Sequence, residues 1–168
     1  MRILHWFRKD LRLDDNTALA EAARVAAGDV VPFYASDPAW FSRADVAPTR
    51  VRFVLGALAE LSAAIAARGS RLALAHGDPA DVLPRTARAA GADAVYWNDE
   101  YEPALCERDD RVERALHSAG LETKRFHDRL LVPPGFVLNG TGKPYTVYTP
   151  FRRACEALPV GTPHCRAR

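Results

Sequence analysis

Short apolar runs alternate with longer amphipathic segments along most of the 168 residues. The apolar runs have the length and the aliphatic and aromatic character of buried strands, and they lie at residues 2–7, 30–35, 71–76 and 93–97. Residues 122–126 follow the same alternation as a fifth predicted strand. The segments between them carry apolar residues at helical spacing, at residues 17–27, 50–68, 79–91 and 107–119. Each strand but the last is followed by a helix, and right-handed crossovers are nearly obligatory. The pattern predicts an α/β fold: a five-stranded, doubly wound parallel sheet of order 3-2-1-4-5 with helices on both faces.

The helix boundaries carry their own signals. Asp14, Asp15 and Asn16 supply capping residues for a helix that begins at residue 17. Pro79 suits the first turn of a later helix, and Gly91 is a typical stop. These signals agree with the strand and helix alternation.

The alternation of strands and helices stops after Asp128. We therefore divide the chain into three predicted parts. Residues 1–128 form the α/β domain, and residues 129–158 form an irregular arm, broken by Pro and Gly, with a short helix. We expect residues 145–148 to be extended, Thr149 and Pro150 to cap the helix, and the helix to end near residue 158. Residues 159–168 have no apolar periodicity, so we expect a disordered tail.

Composition and charge exclude only a few classes of protein. The formal charge of +2 is too balanced to indicate a nucleic-acid partner. The three cysteines form no CxxC pair, which argues against a disulfide framework and favours a reducing compartment. No run approaches about 18 consecutive apolar residues. We therefore expect a cytoplasmic protein that does not contact a membrane.

Polar side chains collect where strands one and four end. The turn after strand one carries Arg8, Lys9, Asp10 and Arg12, and residues 98–102 follow strand four. Neighbouring strands whose connections diverge open a crevice at this edge, where such sheets bind ligands. A loop after strand two brings Trp40 and Phe41, which could stack on a planar ligand or close the core. The charged turn is equally compatible with a structural role, in which its charges pair with one another and anchor the helix.

The sequence lacks the motifs of several common classes of enzyme and binding site. The first turn has no GxGxxG, and residues 135–143 have the wrong glycine spacing for a phosphate loop. The five histidines form no HxxxH or HxH pair, so we predict no metal site. No GxSxG elbow occurs, and Cys106 has no feature that marks a nucleophile. The sequence does not indicate a dinucleotide-binding protein, a P-loop enzyme or a hydrolase.

Three segments carry a family resemblance. Residues 6–16 (WFRKDLRLDDN), 98–102 (NDEYE) and 142–152 (GKPYTVYTPFR) occur in that order. Together they resemble the N-terminal α/β domain of the DNA photolyase and cryptochrome family. The resemblance covers the chain from residue 1 to about residue 158.

The resemblance implies a light-harvesting function. In many members this domain holds an antenna chromophore, while a separate helical domain binds FAD and DNA and carries out the repair. The resemblance places that helical domain beyond residue 158, so we expect no catalytic residue in this chain and no DNA repair by the chain alone. We also expect exposed apolar surface around residues 145–152 and a tendency to self-associate.

The resemblance also suggests the chromophore and its site. Members that use methenyltetrahydrofolate tend to have a histidine after strand two and an Asn-Glu pair shortly after the Tyr-Glu that follows strand four. Residues 40–50 have no histidine, and Ala104 and Leu105 stand where the pair is expected. We therefore favour 8-hydroxy-5-deazaflavin or FMN as the small planar partner. The implied binding residues are Arg8, Asp10, Asp37, Arg50, Glu100, Glu102 and Cys106.

Two other functions stay open at this level. The first is a stand-alone α/β module that binds an adenine nucleotide or a protein in the same crevice. The second is an inactive, truncated gene product, for which the unpatterned tail is the argument. The residues that would distinguish a photolyase from a cryptochrome, or one DNA lesion from another, belong to the helical domain.

Overall fold

A five-stranded parallel sheet forms the centre of the computed structural model, which describes residues 1–159 and 161. The strands are β1 (Ile3–Phe7), β2 (Val30–Ser36), β3 (Ala73–His76), β4 (Ala94–Asn98) and β5 (Glu122–Phe126). They lie in the order β3-β2-β1-β4-β5, with all pairs parallel. The predicted α/β class, strand number and strand order are confirmed.

Helices cover both faces of the sheet. They are α1 (Thr17–Val25), α2 (Pro38–Phe41), α3 (Pro48–Ala66), α4 (Pro79–Ala89), α5 (Pro103–Ser118) and α6 (Tyr148–Glu156). Leu4 and Trp6 of β1 pack with α4 and α5, whereas Phe7 packs with α1 and α3 on the other face. Because both faces are covered, every residue of β1 and β4 is buried, while the edge strands β3 and β5 are partly exposed.

Two helix starts differ from the sequence-based prediction. We expected the helix after β4 to begin at residue 107, but α5 begins at Pro103. Likewise α3 begins at Pro48, two residues before the predicted start. A proline fits the first helical turn because its fixed φ is helical and its missing N–H would have no partner there. Asn16 is the N-cap of α1, as predicted.

The arm after β5 is irregular apart from two turns, an isolated bridge between Leu138 and Pro144, and one helix. Asn139 organises the second turn: its Oδ1 accepts hydrogen bonds from the backbone N–H groups of Thr141 (2.9 Å) and Lys143 (3.1 Å). The predicted cap of the last helix is wrong, because Tyr148 is already helical and Val147 precedes it without a side-chain cap. That helix still forms because Pro150 falls in its first turn.

Two other predictions concern the last ten residues of the chain and the absence of contact with a membrane. The disorder predicted for residues 159–168 falls almost wholly outside the described residues. Among the described residues, no helix is both long and apolar enough to cross a lipid bilayer.

Candidate functional site at the carboxyl ends of the strands

The amino end of α1 is closed by side chains from three separate segments. The first three N–H groups of a helix have no partner within the helix. Here Thr17 N–H donates to Asp128 Oδ1 (2.9 Å), Ala18 N–H to Asn98 Oδ1 (2.9 Å) and Leu19 N–H to Asn16 Oδ1 (3.1 Å). We call Asp10, Asn16, Asn98 and Asp128 the α1 latch. Since the latch already satisfies these donors, this helix end does not offer the phosphate site that such folds often place there.

Asp10 ties the turn after β1 to this latch. Its carboxylate accepts hydrogen bonds from the Arg8 backbone N–H (2.8 Å) and from Asn98 Nδ2 (2.6 Å), and the residue is 4% exposed. Burial alone would raise the pKa of this carboxyl, but its coupling with His5, which becomes positive only in acid, the charge of Arg8 and these hydrogen bonds outweigh burial and lower it. Asp10 is therefore an ionised anchor whose bonding capacity is largely used within the protein.

His5 lies in the core beneath the latch. The ring is completely buried and meets the Phe7 ring edge-on at 4.3 Å between centroids. Burial lowers the pKa of His5 to about 4, and the nearby Asp10 carboxylate offsets only part of that effect. The ring is neutral at pH 7.

A cavity of about 420 Å³ opens on the other side of the same turn. It lies between the turn after β1, the end of β2 with α2, the first half of α3 and the start of α5. Its aromatic lining consists of Trp6, Tyr34, Trp40, Phe41 and Phe53. Its charged lining includes Arg8, Asp10, Asp37, Arg50, Glu100 and Arg108. Apolar walls with a few polar groups are typical of a site for a small organic ligand.

The base of this cavity is a cluster of Trp6, Arg8, Arg108 and Asp109. The guanidinium carbons of Arg8 and Arg108 lie over the Trp6 ring, 4.7 Å and 5.1 Å from its centroid. Both guanidinium groups form ion pairs with the carboxylate of Asp109, which is completely buried. Two guanidinium cations thus share the carboxylate of Asp109, and the ionised Asp10 carboxylate also acts on Arg8 from the same turn.

The profile of the family described as DNA photolyase matches residues 3–165 of the chain. The chain belongs to the DNA photolyase family. The deoxyribodipyrimidine photo-lyase of Synechococcus sp. is 43% identical over 161 residues, which cover 96% of this chain and 33% of that protein.

Two solved photolyases share the fold. A bacterial class III photolyase from Agrobacterium tumefaciens superposes with a TM-score of 0.89 at 35% identity, covering 99% of this chain and 34% of that one. An archaeal photolyase from Sulfolobus tokodaii, described with two FAD molecules that imply a novel light-harvesting cofactor, gives a TM-score of 0.85 at 28% identity, covering 98% of this chain and 37% of that one. The chain spans about a third of the length of these relatives and corresponds to the N-terminal α/β domain of the family.

In this photolyase domain, five of the seven residues expected to bind a chromophore line the cavity: Arg8, Asp10, Asp37, Arg50 and Glu100. Glu102 and Cys106 lie outside the lining. Glu102 is largely exposed and pairs with Lys9 at 2.5 Å. The Cys106 thiol donates to the Glu100 carbonyl at 3.1 Å, and burial, reinforced by the Asp109 carboxylate, raises its pKa. The thiol is therefore not an activated nucleophile.

The cavity also has a wall of which sequence reasoning named only Arg50. Arg50, Phe53, Val54 and Ala57 of α3 all line it. Their spacing of three, four and seven residues places them on one face of the helix. Val54 also packs against the core, whereas Phe53 is 77% exposed although it is aromatic. The sequence did carry a signal for this wall, namely an apolar stripe near the start of the helix, before the residues that are buried against the sheet.

Proposed function

We propose that the cavity binds one planar aromatic chromophore, and that this domain collects light within a DNA photolyase. The observation that carries the proposal is the aromatic, ligand-sized cavity at the strand ends, beside a helix end that the protein has closed to phosphate. Its volume of about 420 Å³ lies within the range typical of small-molecule sites. Trp40 and Phe53 offer ring surfaces, while Arg50 and Asp37 offer polar anchors at the rim.

We propose 8-hydroxy-5-deazaflavin or FMN as the chromophore in preference to methenyltetrahydrofolate. A flat tricyclic ring matches a cavity with aromatic residues on several sides, and the loop after β2 has no histidine. The Sulfolobus relative, described with two FAD molecules, supports a flavin-type ring. Arg8, Asp10, Asp37, Arg50 and Glu100 would then orient the polar edge of the ring.

We propose that the absorbed energy passes to an FAD held by a helical domain of the photolyase, which also contacts DNA. On this proposal the α/β domain alone neither binds damaged DNA nor repairs it. The free thiols of Cys106 and Cys155 suit a reducing, cytoplasmic location. Leu131, Phe136 and Tyr148 of the arm are mostly exposed, so we also propose that the isolated chain self-associates through the arm.

The nucleotide-binding alternative has less support. A nucleotide in a sheet of this kind usually places a phosphate on the amide groups at the start of the first helix. In this chain Asp128, Asn98 and Asn16 occupy those groups, and the carboxylate of Asp128 would repel an anion.

Reconstitution tests the proposal directly. The purified chain is titrated separately with FMN, 8-hydroxy-5-deazariboflavin and methenyltetrahydrofolate, and bound ligand is followed by absorption after gel filtration. We expect a shifted, protein-bound band at one ligand per chain for a flavin or deazaflavin. AMP and ATP serve as the comparison in a thermal-shift assay, where we expect no stabilisation. Stabilisation by nucleotides together with no binding of any chromophore would contradict the proposal.

A further inference from the structure

Both tryptophans that line the cavity have a guanidinium group over the ring. The chain has three tryptophans. Trp6 has Arg8 and Arg108, as described above, and Trp40 has Arg50, whose guanidinium carbon lies 6.0 Å from the ring centroid. The third, Trp97, lies behind Trp6 at 5.9 Å and does not line the cavity. Within the described residues, no guanidinium group lies over Trp97 in the same way.

The positions of these two indoles raise a chemical problem for a light-collecting site. Indole is the most easily oxidised of the common aromatic side chains, and a light-excited aromatic ring in the cavity is a strong oxidant. In such an encounter the indole loses one electron and the excited ring gains it. No bond forms or breaks, and the electron later returns to the indole. The excitation is then lost as heat before it can be passed on.

A positive charge over an indole opposes this loss. Oxidation places a positive charge on the indole ring, and a guanidinium group about 5 Å away makes that charge costlier through Coulomb repulsion. The same guanidinium is attracted to the neutral ring by a cation–π interaction, which holds it in place. At Trp6 the carboxylates of Asp109 and Asp10 act on the guanidinium groups and offset part of the effect, whereas Arg50 over Trp40 has no ion-pair partner among the described residues.

We propose that Arg8, Arg108 and Arg50 protect the excited state of the bound chromophore by suppressing electron donation from Trp6 and Trp40. This inference rests on the proposed chromophore site and assigns these arginines a role beyond holding the ligand. Tyr34 is the remaining electron-rich ring of the lining. A tyrosine phenol with its ordinary pKa of about 10 is already protonated at neutral pH, and burial raises the pKa of Tyr34 further. A protonated phenol is a weaker electron donor than a phenolate.

The test compares fluorescence lifetimes of bound FMN and 8-hydroxy-5-deazariboflavin in variants of the full chain. Arg50→Gln removes the charge over Trp40 at an exposed position, and Arg108→Gln removes one of the two charges over Trp6. Arg111→Gln is the matched control, because Arg111 lies on the same helix as Arg108, pairs with Asp78 and does not line the cavity. Dissociation constants are measured in parallel by absorption titration.

We expect the lifetime of the bound probe to shorten by at least about twofold in Arg50→Gln and in Arg108→Gln, and to stay unchanged in Arg111→Gln. The double variants Arg50→Gln/Trp40→Phe and Arg108→Gln/Trp6→Phe should recover the original lifetime, because the electron donor is gone. The Trp40 pair stands near the surface, so it gives an answer even if a change at the buried Trp6 prevents folding.

Two outcomes would overturn the inference and are distinguishable. If a probe binds but its lifetime is the same in the single variants, or stays short after the tryptophan is removed, the protective role is wrong and the chromophore site stands. If neither probe binds the original chain, the proposed function fails and the inference fails with it.

Discussion

Two polar regions flank the turn after β1, and they serve different purposes. On one side, the α1 latch is closed: its carboxylates and amides bind one another and the first amides of α1. On the other side, the cavity is open, and Arg50 and Asp37 at its rim have no ion-pair partner among the described residues. The side of the strand end thus decides whether polar groups are paired within the protein or stay open at the cavity, and Asp10, which also lines the cavity, belongs to both regions.

The comparison predicts that the latch carries stability and the cavity carries binding. Asn98→Ala removes the acceptor for the Ala18 amide and the donor to the buried Asp10 carboxylate. We expect the free energy of unfolding to fall by about 3 to 4 kcal/mol, measured by urea denaturation. Asp37→Ala, which removes only the cap of the short α2, should cost about 1 kcal/mol. Equal losses of unfolding free energy in the two variants would contradict the claim that the latch, and not the cavity, carries stability.

The buried His5 ring beneath the latch should also make the fold sensitive to acid. The pKa of His5 is about 4 in the folded chain and about 6.5 when unfolded, so the unfolded chain binds more protons between these values. Stability therefore falls as the pH drops from 6.5 to about 4, by about 3 kcal/mol, and is unaffected by this group above pH 6.5. Asp10, Asp128 and Arg8 are the charged groups that act on the ring.

His5→Phe checks this expectation, because phenylalanine fills the buried site without titrating. Urea denaturation at several pH values should show a flatter profile for the variant between pH 4 and 6.5. The same slope in both proteins would assign the acid sensitivity to other groups.

On the cavity side, the largest expected effect is on binding. Val54→Trp places an indole in the cavity from α3, and we expect ligand binding to weaken at least about tenfold. Because Val54 also packs against the core, the free energy of unfolding should fall by about 1 to 3 kcal/mol. Leu55→Trp is the control, because Leu55 is exposed on the same helix and does not line the cavity. Isothermal titration calorimetry with FMN or the deazaflavin measures ligand binding to both variants, and urea denaturation measures their free energy of unfolding. Equal weakening in the two variants would place the ligand elsewhere.

The smallest effects should come from the two expected residues that lie outside the lining. Glu102→Gln removes an exposed ion pair with Lys9, and Cys106→Ala removes one weak hydrogen bond. We expect each variant to bind the chromophore within about twofold of the original chain, since exposed ion pairs contribute little. A loss of binding in either one would extend the site beyond the cavity.

The fold could be predicted because its strands are buried on both faces. Runs such as residues 3–7 are apolar except for His5, and alternation with helices then leaves few topologies. Helix starts were less predictable, since Pro48 and Pro103 begin helices before the apolar periodicity is evident.

The site could be predicted only in part, for geometric reasons. Adjacent positions diverge on a helix: Leu105 and Arg108 share the face that lines the cavity, while Cys106 points away from it. The stripe on α3 resembles core in the sequence, because nothing local shows that the first half of this helix lies beyond the packed sheet. The latch could be foreseen in part: Asn16 was expected as a cap, and the turn with Asp10 was expected near residues 98–102 with a possible structural role, whereas the contribution of Asp128 carried no sequence signal.

A two-dimensional ¹H–¹⁵N NMR titration of the full chain with FMN or 8-hydroxy-5-deazariboflavin tests the central claim most directly. It reports on both regions in one experiment. The account predicts that the Trp40 indole signal and the backbone amides of Arg50 and Phe53 shift on binding, while the amides of Thr17, Ala18 and Leu19 stay unchanged. Shifts confined to those three α1 amides, with the cavity signals unmoved, would contradict it.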